Sequence, residues 1–263
     1  MSIETTSPAR DNVEVTRNEP AGGQGLHGQV LESLGVAICG GTLAVGTIFT
    51  AEEIEERYGV SRTLVREAVR VLGSLGLVAA RRRIGVQVLP ASEWSMYTPQ
   101  VIRWRLESSE RMEQLRALIE LRLAIEPEAA RLAAERSSPS QASELMGLAG
   151  KLWESGHADD VDTFLRNDIK FHSLVLSSSG NLMFGKLDSL VGETLVGRTS
   201  FGLVPDQPHA DALQLHMDVA NHIQRGEGEL AREAMRKVML RTVEEMEAAE
   251  RGELTAAVET TGL

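Results

Sequence analysis

Ser61-Arg62-Thr63-Leu64-Val65-Arg66-Glu67-Ala68-Val69-Arg70-Val71-Leu72-Gly73-Ser74-Leu75-Gly76 is the stretch whose reading decides the fold. Leu64, Val65, Ala68, Val69, Leu72 and Leu75 recur at helical spacing and make one apolar side. Arg62, Arg66 and Arg70 fall at i, i+4 and i+8 on the other side, with Thr63 beside them. Ser61 is a natural N-cap and Gly76 a natural stop. One face of this helix can be packed while the other enters a major groove. Arginine suits that groove because its fork donates two parallel hydrogen bonds to guanine or phosphate.

Upstream, Leu26, Val30, Leu31, Leu34 and Ile38 mark a first helix that ends at Gly40-Gly41. A short Leu43–Phe49 segment follows. Thr50 then caps a second helix over Ala51 to Tyr58, and Gly59 makes a tight turn. Downstream, Leu77–Ala80 and Val86–Leu89 read as two strands joined by a loop carrying Arg81, Arg82, Arg83 and Gly85. Helix, helix, turn, helix, hairpin is the order of a winged helix-turn-helix. Arg62 and Thr63, at the start of the third helix, are expected to reach bases, with Arg66 and Arg70 behind them. Arg81, Arg82 and Arg83 are expected to touch the DNA backbone or a minor groove.

Charge agrees with this placement. The net charge is −11, which for the whole chain argues against nucleic acid. Between Arg57 and Pro90, however, seven arginines stand against the single acid Glu67. Residues 91 to 263 carry 18 basic and 28 acidic side chains, so the acidity lies behind the arginine cluster. Phosphates respond to charge within a Debye length, not to the total.

The motif Ser61 to Arg70, with Leu72, Gly76-Leu77-Val78 and a glycine at 85, resembles the GntR family of bacterial transcription regulators. The resemblance covers about Leu26 to Pro90 and implies operator binding by a homodimer. The family often places a basic residue just before the wing glycine, where this chain has Ile84.

Trp94, Tyr97, Pro99, Val101, Ile102, Trp104 and Leu106 form a bridge aromatic enough to pack between domains. Beyond Glu107 the pattern is helical almost throughout. Blocks are expected near Leu115–Glu135 with Pro127 inside or starting a turn, then Ser140–Glu154, Val161–Ser177, Leu182–Thr194, Ala210–Gln224 and Glu229–Ala249. Val204–His209 reads as an ordered loop. The fold class expected is mainly α: a winged helix-turn-helix (α+β) followed by an all-α antiparallel helical bundle. The boundaries expected are a tail over 1–24, a DNA-binding domain over 25–91, a linker over 92–108, a helical effector-binding domain over 109–250 and a tail over 251–263.

Asp168 and His172 stand at i, i+4, so a carboxylate and an imidazole share one helix face and can hold one divalent metal. Two other readings stay open: a simple hydrogen-bonded pair, or a pocket that binds its ligand without metal. Glu120-Leu121-Arg122 with Glu126, Asp168 to His172, Asn181, His216 and Gly226-Glu227 resemble the helical sensing domain of the FadR subfamily, the FCD type. That resemblance implies a divalent metal of the Zn, Ni or Mn class on Asp168, His172, His216 and a further histidine. The further position falls at Val238, which cannot ligate. A small carboxylate effector would then meet Arg122, with Arg198 and Asn181 as weaker candidates. The bridge, with Trp104 to Glu107, looks like that of galactonate-type regulators, which makes a sugar acid a candidate effector.

An enzyme is not expected: there is no nucleophile elbow, phosphate loop, His-Glu-x-x-His or glycine-rich dinucleotide turn. A DNA-binding protein whose helical domain only dimerises is the other alternative. The lone cysteine, Cys39, excludes an intrachain disulfide. Met1 to Gln24 has no apolar block, and no apolar run reaches a membrane span, so a cytoplasmic location is expected.

Overall fold

A computed structural model describes residues 26–158, 160–203 and 210–251. The expected 1–24 tail, the 204–209 loop and all but the first residue of the 251–263 tail lie outside the described residues.

Three helices build the front of the molecule: α1 (Leu26–Cys39), α2 (Ala51–Tyr58) and α3 (Arg62–Ser74). A capping box starts α2. The Glu53 N–H donates to Thr50 Oγ1 at 3.2 Å, and the Thr50 N–H donates to Glu53 Oε2 at 2.8 Å. Gly59 ends α2 in the left-handed region, φ 64°. Ser61 caps α3, which buries Val65, Ala68 and Leu72 against Leu34 and Leu77.

Strands β1 (Ile48–Phe49), β2 (Val78–Arg81) and β3 (Gly85–Val88) form an antiparallel sheet in the order β1-β3-β2. The strand character of β1 is an addition to the two-stranded hairpin expected. Two residues give no periodicity of their own; pairing with Val86 and Gln87 makes them a strand. Gly85 is required by this packing: its φ is +132°, and a Cβ there would lie 2.6 Å from the Phe49 carbonyl oxygen.

A short 3₁₀ turn, Ala91–Glu93, leads to α4 (Pro99–Leu106), which lies between the two halves. Trp104 is fully buried and sits over Gly35 of α1, its indole N–H donating to Glu32.

Behind it comes an all-helical body: α5 (Arg111–Arg136), α6 (Pro139–His157), α7 (Val161–Ser178), α8 (Leu182–Gly185), α9 (Asp188–Ser200), α10 (Ala210–Arg225) and α11 (Gly228–Glu250). From the same α4, Leu106 occupies the space over Gly197 of α9, where a Cβ would stand 2.7 Å from it. Helix α5 continues past Pro127, whose missing N–H costs the helix one hydrogen bond. The core between α5, α6, α7, α10 and α11 is filled by Leu115, Ile119, Leu145, Leu152, Phe171 and Met235.

The single helix expected over Leu182–Thr194 is two. The Lys186 and Leu187 N–H groups donate to the Met183 and Phe184 carbonyls, three residues back, at 3.3 and 3.0 Å; this tightened turn closes α8 before α9 opens at Asp188. Among the described residues, no helix is long and apolar enough to cross a membrane.

Candidate functional site

The first candidate surface is the outer face of α3 and the turn between β2 and β3. Arg62, Thr63, Arg66 and Arg70 are all exposed there, as are Arg81, Arg82 and Arg83. Arg62 pairs with Glu52 at 3.0 Å and Arg70 with Glu67 at 3.1 Å, both at the surface, where an ion pair contributes little. Neither acid is an obstacle to a phosphate or a base edge. Arg81 Nε donates to Gln87 Oε1 at 2.9 Å, which holds it along the sheet. Arg83 takes a left-handed φ of 63°, uncommon for a side chain with Cβ, and so tightens the tip of the hairpin.

The second candidate is a pocket in the helical body, of about 870 Å³ including its open mouth. Asp168 and His172 enter it from α7 and His216 from α10. Asp168 Oδ1 lies 3.3 Å from Nε2 of His172 and 3.3 Å from Nε2 of His216. One ligating atom from each residue lies within 4.8 Å of the others. Asp168 Oδ1 and His216 Nε2 are buried and lack a hydrogen-bond partner.

The other ring nitrogens explain the convergence. His172 Nδ1 is hydrogen-bonded to Glu126 Oε2, and His216 Nδ1 lies 2.7 Å from the Ala212 carbonyl oxygen. A carboxylate and a carbonyl only accept, so each Nδ1 carries its proton and each ring turns its Nε2 toward Asp168. Imidazoles that ligate metals are held by such outer partners. One oxygen and two nitrogens suit zinc, nickel or manganese.

Electrostatics point the same way. Burial raises the Asp168 carboxyl, but the two histidines outweigh it and hold its pKa well below the usual range. Burial pulls His172 down, but the Glu126 and Asp168 carboxylates outweigh it and push it up to about 9. The cluster therefore calls for positive charge at its centre, which a proton or a divalent cation can supply. Glu126, also buried, is raised by desolvation and pulled down more strongly by Arg122 and His172, to about 2.

Val238 lines this pocket from α11 and brings no donor atom, leaving three protein ligands among the described residues. Arg122 Nε donates to Glu126 Oε1 at 2.5 Å, while its Nη1 and Nη2 are buried without a hydrogen-bond partner. Arg198 Nη2 donates to Glu245 Oε2 at 2.6 Å and leaves its Nε without one. Both arginines line the pocket.

Asn181 does not. Its Oδ1 accepts from the Met183 N–H at 3.0 Å and caps α8, so its amide serves the chain turn. His222 is hydrogen-bonded to Glu227 at 2.6 Å, away from the cluster, and His209 lies outside the described residues. The link from Glu126 to His172 joins residues 46 positions apart and leaves no local signal in the sequence. Only its i, i+4 spacing from Arg122 was visible, and that identifies half of its role.

A front that presents arginines on an exposed helix, joined to a helical body around a buried polar pocket, has the make-up of a two-domain DNA-binding regulator. Comparison with known proteins makes the class specific. Residues 26–88 match the model of bacterial regulatory proteins of the gntR family, and residues 117–241 match the FCD domain. The HTH-type transcriptional regulator YieP of Escherichia coli is 28% identical over 209 residues, 79% of this chain and 90% of its own. The galactonate operon transcriptional repressor of the same organism is 28% identical over 210 residues, 78% of this chain and 90% of its own. A probable D-xylose utilization operon transcriptional repressor of Paenarthrobacter nicotinovorans is 27% identical over 210 residues, 79% and 82% of the two chains. The chain belongs to the GntR family of transcriptional regulators, with an FCD domain behind its helix-turn-helix, and is not an enzyme.

Proposed function

We propose that this protein is a homodimeric, cytoplasmic repressor whose grip on a pseudo-palindromic operator is set by a small carboxylate in the FCD pocket. Arg62 and Thr63 read bases, Arg66 and Arg70 flank them, and Arg81, Arg82 and Arg83 with the turn at Gly85 hold the backbone or minor groove. Two copies bring two such heads to two half-sites.

In the pocket, Asp168, His172 and His216 hold a divalent metal. When bound, the ion supplies a Lewis-acidic positive point with positions left for an effector's oxygens. Arg122 receives the effector carboxylate through its two unpartnered amino groups, and Arg198 stands beside it. Glu126 fixes both Arg122 and His172, so the anion site and the metal site are oriented by one carboxylate. An effector shifts DNA affinity only by binding one arrangement of the heads better than the other.

The observation that carries this reading is the convergence of three ligating atoms whose imidazoles are both fixed through Nδ1. Its test is a thermal-shift screen of small carboxylates on the full chain, with and without chelator, paired with operator retardation. The name of one relative makes sugar acids the first compounds to include, and that of another adds a neutral sugar as the uncharged comparison. Expected is a stabilising acid whose effect vanishes with chelator and which releases DNA. A helical domain that only dimerises would show no shift with any acid.

A further inference from the structure

The pocket has a direction. Along α7, Val161, Phe164, Leu165, Asp168 and His172 all line it, a spacing that keeps them on one side of the helix. Val161 is 48% exposed and stands at the mouth, while His172 is 1% exposed and stands at the inner end. Arg122, Asp168, His172, Arg198 and His216 gather toward that inner end, while Asp160 stands beside Val161 at the mouth and Arg241 and Glu245 line the α11 side. The wall between is apolar: Val161, Phe164 and Leu165 from α7, Leu195 from α9, and Val238 from α11.

The hydroxyls on this wall have spent their protons. Ser155 donates to the Lys151 carbonyl at 2.7 Å, Thr199 to that of Leu195 at 3.1 Å, and Thr242 to that of Val238 at 3.3 Å. Among the residues lining the pocket, the buried donors left without a partner are Arg122 Nη1 and Nη2 and Arg198 Nε, and the Arg241 guanidinium, 3.7 and 3.9 Å from Glu244 and Glu245, adds donors on the α11 side, away from Val161, Phe164, Leu165 and Leu195. A polyhydroxy chain laid along this wall would lose water and gain few matching donors. Each hydroxyl buried so costs binding.

We propose that the effector is an amphipathic carboxylic acid, with its anionic head at Arg122 and the metal ligands and an aliphatic or aromatic body along Val161, Phe164, Leu165 and Leu195. This rests on the carboxylate-sensing reading above and narrows it. Sugar acids share the head and have the wrong body for this wall.

The test is isothermal titration of the full-length, zinc-supplemented protein with 2-hydroxybutanoate, 2-hydroxypentanoate, 2-hydroxyhexanoate and galactonate. Burying each added methylene should tighten binding about fourfold, and 2-hydroxyhexanoate should bind at least about tenfold tighter than galactonate. A flat series, or galactonate as the tightest ligand, overturns the proposal and leaves carboxylate sensing standing. The matched 2-hydroxyhexanamide, with the same body and no charge, separates the two claims. If it binds as well as the acid, or if no acid binds, the underlying carboxylate reading fails as well. Phe164→Gln should flatten the methylene series without weakening galactonate. Val161→Gln, at a half-exposed mouth position where folding is not at stake, should reduce the last step of the series. An unchanged series in both variants refutes the assigned wall.

Discussion

The indole of Trp104 lies over Gly35, so close that a Cβ on the glycine would fall 2.3 Å from Cδ2 of the ring. On an open helix face, glycine to alanine stabilises by about 0.8–1.0 kcal/mol. Here the ring is fully buried and its N–H is engaged by Glu32, so it has nowhere to retreat. We expect Gly35→Ala to destabilise the front domain by about 1–3 kcal/mol, the usual range for overpacking. Urea unfolding followed by tryptophan fluorescence would reveal it. A variant as stable as the parent would mean that α4 slides freely on α1.

Arg62→Ala should weaken specific operator binding by about 1–3 kcal/mol, the loss typical of a bidentate base contact. Arg70→Ala should act more evenly across sequences, since Arg70 sits two turns further along α3. Fluorescence anisotropy on specific and scrambled duplexes at fixed salt separates the two effects. Equal losses on both duplexes for Arg62→Ala would remove it from base readout.

Glu126→Gln keeps the shape of the side chain and removes its charge. Because Glu126 orients His172 without ligating, metal affinity should fall by about 10–100-fold, the usual cost of losing such an outer partner. His172→Ala should abolish both metal binding and effector response while operator binding persists. Competition with a chromophoric chelator measures the first and retardation assays the second. A His172→Ala variant that still releases DNA on effector addition would refute the site.

Val238→His restores the donor that the resembling family has at this position. Expected is tighter metal binding and a weaker effector response, because a fourth protein ligand takes a position otherwise left to the effector. Zinc titration and thermal shift with the best acid would show the two effects moving in opposite directions.

Burial pushes the Cys39 thiol up from 9.0 to about 12, outweighing the opposing pull of Arg105. In the unfolded chain the thiol ionises above about 9, while the folded chain keeps its proton. Stability from this group is therefore complete below about pH 9 and is lost as pH rises toward about 12, with a slope near 1.4 kcal/mol per pH unit. Cys39 should resist a disulfide reagent at pH 8 and react once urea unfolds the protein. Rapid labelling of the native protein would contradict the buried placement of α1.

The front domain was legible because its signals are local. The arginine stripe of α3, its apolar side and the caps at Thr50 and Ser61 all lie within a few residues of one another. Asp168 and His172 were legible for the same reason, being one helical turn apart. What the chain order hid was contact at a distance. Glu126 meets His172 across 46 positions, Arg198 meets Glu245 across 47, and Ile48–Phe49 becomes a strand only beside β3. A motif position does not reveal which way an amide turns, and the bend before α8 engages that of Asn181. The break between α8 and α9 is hidden because the apolar rhythm runs across it, while the backbone tightens at Lys186 and Leu187.

Helix α4 is anchored at both sides, by Trp104 in the space over Gly35 and by Leu106 in that over Gly197. A head mounted so stiffly leaves an imprint on the operator. One base pair inserted between half-sites turns one of them by about 34° around the duplex axis. A slack tether would follow that rotation, whereas this mount cannot, so half-site spacing should be tolerated at a single length: even a whole added turn, which restores the facing, carries the second half-site about 34 Å away.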